Sequence, residues 1–126
     1  MSKIVLLVED DPTILILLGG VFESRGYTVL KAGSGSEGIM AAMNSTPDIV
    51  ITDVNMPSGY GSSLYYKLRM DARTKHVPFI FITGLPIEHA KKLVPDSEGA
   101  VWVAKPFDTR KLVKLAEDML SGNKPA

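Results

Sequence analysis

This chain predicts a doubly wound α/β domain, a five-stranded parallel sheet with helices on both faces, and three observations carry that prediction. Short continuous apolar runs rich in β-branched residues recur along it, helical segments separate them, and turn residues bound each run. Strand and helix alternate five times, which calls for right-handed βαβ crossovers. At 126 residues, with 45% hydrophobic and 22% charged residues, the chain has the size and balance of a single globular domain. We place that domain at residues 1–120 and read the remainder, SGNKPA from Ser121, as a flexible tail or the start of a linker.

The first run, IVLLV from Ile4, is apolar throughout, as a strand covered on both faces must be. Asp11 then caps a helix whose first position is Pro12, and the helix continues to Ser24. The second run, YTVLKA from Tyr27, is less apolar and carries Lys31, which suits a sheet edge. A helix from Ser36 to Asn44 follows, with Met40 and Met43 expected as core filler. The third run, IVIT from Ile49, ends on Asp53, and a helix from Ser62 to Met70 leads to the fourth, PFIFIT from Pro78. A short helix from Pro86 to Val94, the fifth run AVWVA from Ala100 and a helix from Thr109 to Leu120 complete the chain. The first, third, fourth and fifth runs all read as strands buried on both faces.

Composition removes several functions. Fourteen basic and fourteen acidic residues cancel, so no long-range field draws the chain to nucleic acid or anionic lipid. Cysteine is absent, which removes disulfides, thiolate chemistry and sulfur-ligated metals and fits a reducing, cytoplasmic setting. The longest apolar stretch, Ile14 to Phe22, is far too short to span a bilayer.

In an open parallel sheet, ligands bind outside the carboxyl ends of the strands, where the strand order reverses. The ionisable groups of this sequence fall at such ends: Glu9, Asp10 and Asp11 after the first strand, Asp53 after the third, Lys105 after the fifth, with Thr83 at the fourth. A strand order of 2-1-3-4-5 would bring Glu9, Asp10 and Asp53 into one crevice. Carboxylates so gathered repel by about 4 kcal/mol per pair at ~4 Å and an effective dielectric of ~20. Either a proton or a cation must relieve them, and with oxygen ligands only, a hard ion such as Mg²⁺ fits best. Lys105 and the Thr83 hydroxyl add groups suited to phosphoryl oxygens. The set is a phosphoryl-transfer constellation in which a carboxylate, Asp53, is the nucleophile.

The order LLVEDDP, IVITDVNMP, FIFITG and VAKPF resembles the receiver domain of two-component response regulators over essentially the whole chain, in particular the single-domain chemotaxis regulators with their flavodoxin-like architecture. The resemblance implies that Asp53 is phosphorylated and that Glu9, Asp10, Asp53 and the carbonyl of Asn55 hold Mg²⁺. It also implies that Thr83 and Lys105 contact the phosphoryl group, that the Lys105–Pro106 peptide is cis, and that Trp102 stands where an aromatic residue switches together with Thr83. Implied partners are a histidine kinase or histidine phosphotransfer protein, and a downstream target or a second copy at the face of the fourth helix, fifth strand and fifth helix. That face carries Lys91, Lys92, Arg110, Lys111 and Lys114, a pattern that solvation alone also explains, and the neutral total argues against DNA. On this reading the protein is a switch that promotes its own phosphorylation and slowly loses the group. It is not an enzyme acting on outside substrates.

The first helix is apolar nearly all round. We expect Ile14, Leu18 and Val21 to face the sheet, leaving Leu15, Gly19 and Phe22 to dock a helical partner. Gly84 stands where the family more often has Ala, and bulky Leu85 is expected to slow hydrolysis of the acyl phosphate. His76 and His89 read as surface residues. Three other readings compete: a flavin carrier, disfavoured by acidic residues where phosphate would sit; an aspartyl-phosphate hydrolase, disfavoured by Asn55; and a degenerate receiver that only docks, disfavoured by intact Asp53, Thr83 and Lys105.

Overall fold

A computed structural model describes residues 2–54, 61–97 and 99–122. Five strands, β1 (Ile4–Val8), β2 (Thr28–Ala32), β3 (Ile49–Asp53), β4 (Phe79–Thr83) and β5 (Val101–Ala104), alternate with five helices. The helices are α1 (Pro12–Ser24), α2 (Gly35–Asn44), α3 (Gly61–Arg69), α4 (Ile87–Lys91) and α5 (Thr109–Leu120). All strand pairings are parallel, in the order β2-β1-β3-β4-β5, so the reversal lies between β1 and β3.

Alternation along the strands builds two cores. Leu6, Val8, Val50, Phe79 and Phe81 point to one side, where Ala42 of α2, Leu64, Tyr65 and Leu68 of α3 and Ala90 of α4 cover them. Val5, Leu7, Ile49, Ile51, Ile80 and Ile82 point to the other, beneath Leu18 and Phe22 of α1 and Leu112, Val113 and Ala116 of α5. Aspartates cap the starts of α1 and α5, the first as expected. The Asp11 carboxylate accepts from the amides of Thr13 and Ile14, and Asp108 does the same for Arg110 and Lys111 at the start of α5.

Four expectations are corrected. β5 lies at the sheet edge, paired with β4 alone, and is only partly buried. α4 is a five-residue helix, hemmed between Pro86 and Pro95, and the chain from Lys92 onward continues as turns. Met40 is 66% exposed on the outer face of α2, while Met43 packs against the core as expected. The fourth correction concerns α1. Phe22 is fully buried and meets Tyr27 edge-on at 5.3 Å, Gly19 is buried beneath the Lys31 side chain, and Leu15 packs against the core. These three residues are not a free docking stripe. The sheet-facing arc of α1 is wider than expected and takes in both apolar stripes, leaving Ile16 and Leu17 on the outer surface. His76 and His89 are exposed, as expected.

Candidate functional site

Three of the predicted site residues follow from strand parity. Glu9, Asp53 and Lys105 continue the odd-numbered rows of Leu7, Ile51 and Val103, so all three emerge on the same side of the sheet at its carboxyl end. Ladder hydrogen bonds extend past the strands to fix them there. The Glu9 amide donates to Ala32 O at 3.0 Å, and the Lys105 amide donates to Thr83 O at 2.7 Å. On the side chains, Lys105 Nζ donates to Asp53 Oδ2 at 2.6 Å and to Glu9 Oε2 at 3.5 Å. The two carboxylates are almost wholly buried, and the ammonium retains a window to solvent.

Asp10 completes the group. One carboxylate oxygen from each of Glu9, Asp10 and Asp53 lies within 4.8 Å of the others, with Asp10 on the exposed side. Burial raises the Glu9 pKa to about 7, helped by the Asp53 charge and opposed by the hydrogen bond from the Asp11 amide and by Lys105. For Lys105, burial works against the ammonium, but the hydrogen bond and charge of Asp53, with Glu9 behind it, prevail and hold its pKa above the ordinary lysine range. Among the described residues one ammonium contacts two of three clustered carboxylates, and a proton on Glu9 or a bound cation can offset the remaining negative charge. The donor set is all oxygen, the kind a hard divalent cation takes and a zinc ion does not favour.

Thr83 is placed differently. It lies on the opposite pleat row with Phe79 and Phe81, fully buried, and its hydroxyl accepts from the Leu85 amide at 2.9 Å. Trp102 shares that side of the sheet. It pairs with Phe81 in the register and stacks on it at 4.7 Å between ring centres, half-buried at the edge of the core. The structure therefore brings Glu9, Asp10, Asp53 and Lys105 together, and leaves Thr83 and Trp102 adjacent but on the other face. The Lys105–Pro106 peptide is cis. The expected Asn55 ligand lies outside the described residues.

A model of the response regulator receiver domain matches residues 5–117, nearly the whole chain. The chain belongs to the response regulator receiver domain family. This receiver is 32% identical to protein PilH of Pseudomonas aeruginosa over 118 residues, which cover 94% of this chain and 98% of PilH. It is 36% identical over 123 residues to the sensor kinase CckA of Brucella abortus, of which it spans 13%. Among solved structures, chemotaxis protein CheY4 of Vibrio cholerae matches with a TM-score of 0.81 at 29% identity, covering 93% of this chain and 98% of that one. The protein is thus a receiver domain of two-component signalling, a signalling switch with the acidic pocket at its strand ends. Among the described residues, no helix is long and apolar enough to cross a membrane.

Sequence reasoning missed the outward stripe of α1, Ile16 and Leu17. Helical spacing puts residues 14, 15, 18 and 22 on one arc and 16 and 17 opposite, but with apolar residues on both arcs the spacing does not say which one meets the sheet.

Proposed function

We propose that Asp53 accepts a phosphoryl group from a phosphohistidine of a histidine kinase or histidine phosphotransfer protein. An Asp53 carboxylate oxygen attacks phosphorus, the P–N bond breaks, and the imidazole departs and takes up a proton from solvent. What supports the reading above all is the 2.6 Å contact of Lys105 Nζ with Asp53. That ammonium stands beside the attacking carboxylate and can accompany the charge onto the incoming phosphoryl oxygens. Glu9, Asp10 and Asp53 would hold Mg²⁺, which supplies further neutralisation of the phosphoryl charge. Thr83 serves the phosphorylated state by exchanging its Leu85 partner for a phosphoryl oxygen, and Trp102, on the same side of the sheet, registers the change. The α4–β5–α5 face then meets a downstream protein, and water slowly removes the phosphoryl group. The exposed apolar surface of Ile16 and Leu17 on α1, the helix that follows the acidic residues in the chain, is where a helical donor would rest.

The test is intact mass after incubation with Mg²⁺ and acetyl phosphate, beside an Asp53→Asn control. One phosphoryl adduct is expected, absent in the control and decaying over time once donor is removed. No adduct from acetyl phosphate or any phosphohistidine donor would overturn the reading in favour of a receiver that only docks.

A further inference from the structure

Tyr66 lies on the outer side of α3, 37% exposed, yet its hydroxyl donates to the backbone carbonyl of Pro95 in the turn between α4 and β5. Asp96, next in that turn, has φ 62°, a left-handed conformation that Asp tolerates better than most residues. The same turn walls a cavity of about 280 Å³ whose lining includes Lys91, Val94 and Trp102. Inside, Tyr66 packs edge-on against Tyr65 at 5.6 Å, Tyr65 lies 5.5 Å from Phe81, and Phe81 stacks on Trp102 at 4.7 Å. α3 therefore reaches the Trp102 cavity by two routes that close into a ring. One is polar, through the Tyr66 hydroxyl to the cavity wall; the other is aromatic, through the core to Trp102 itself.

We propose that Tyr66 is a positioning residue: its hydroxyl pins the α4–β5 turn to α3, so that the placement of α3 sets the shape of the Trp102 cavity. The inference rests on the phosphoacceptor reading only for what displaces α3, which follows Asp53 in the chain. Neither Thr83 nor any residue of the carboxylate cluster takes part in this contact. Desolvation, and after it the Asp96 charge, raise the Tyr66 pKa above the ordinary tyrosine value, so the hydroxyl remains a donor at neutral pH.

Tyr66→Phe tests this, because it keeps the ring and its packing and removes only the O–H. The readouts are amide hydrogen exchange at the non-proline residues of 92–97 and fluorescence of Trp102, the one tryptophan in the chain, before and after phosphorylation by acetyl phosphate and Mg²⁺. Exchange in that turn should quicken roughly fivefold, the scale of one neutral hydrogen bond, with the sheet amides unchanged. The Asp53 adduct should form as in wild type while the Trp102 response shrinks. Exchange and emission that match wild type in both states would overturn the proposal. A wild-type protein that forms no adduct would refute the phosphoacceptor reading instead, and exchange in the resting proteins would still decide whether Tyr66 pins the turn.

Discussion

Asp10 is the exposed member of the carboxylate trio, and its position separates two roles that the buried members combine. Glu9 and Asp53 each touch Lys105, so loss of either breaks an ion pair; loss of Asp10 removes a like charge and leaves both ion pairs in place. Asp10→Asn should therefore raise the melting temperature of the metal-free protein by roughly 2–6 °C, the equivalent of about 1 kcal/mol in a domain of this size. It should also abolish most of the stabilisation that added Mg²⁺ gives the wild type. Thermal melts with and without Mg²⁺ check both halves, and a lower melting point or a fully retained Mg²⁺ shift would count against the cluster as a cation site. At this scale the sequence was informative wherever a strand end carried charge, because parity dictates direction. It was uninformative for Thr83, whose hydroxyl had several local partners within reach and in the structure takes the Leu85 amide.

Glycines on the helices give the element scale its sharpest contrast. A Cβ at Gly20 of α1 would meet nothing within 4 Å, whereas one at Gly38 of α2 would stand 3.0 Å from Val8 Cγ2 and 3.3 Å from Leu64 Cδ2. Both changes to alanine gain helix propensity of about 1 kcal/mol, but at Gly38 the neighbours sit in a filled core and cannot yield. Urea denaturation should show Gly20→Ala more stable by ~0.5–1 kcal/mol and Gly38→Ala less stable than wild type; equal effects would refute the close helix-to-sheet approach. The same physics explains what could be read in advance. α1 starts where expected because Asp11–Pro12 is a strong local cap, and the alternation of strands and helices follows from five apolar runs separated by helical segments, whereas those runs alone admit more than one strand order. The orientation of α1 could not be read, since a helix apolar on every side offers no contrast and packing decides its facing. The Gly19–Lys31 approach likewise joins residues on separate elements, with no local signal.

For the molecule as a whole, the two cores make the halves of the sheet interdependent. Val5, Leu7, Ile49 and Ile51 share their core with Ile80, Ile82, Leu112, Val113 and Ala116, all from the second half of the chain. A chain cut to residues 1–70 retains the β2-β1-β3 half-sheet and α1 but loses the α5 half of that core, so it should lack a cooperative thermal transition by circular dichroism; a sharp transition would show the halves to be separable. The ion pair between Lys105 and Asp53 adds a temporal side to this interdependence. The lysine lies 52 residues behind the aspartate, so a ribosome working at roughly 5–20 residues per second makes it some 3–10 s later. During that interval Lys105 is not yet present, so a half-sheet that gathers Glu9, Asp10 and Asp53 depends on a proton or a cation to offset their repulsion. The ion pair that completes the acidic crevice thus belongs to the last strand made, and the crevice gains its own counter-charge only when β5 joins the sheet.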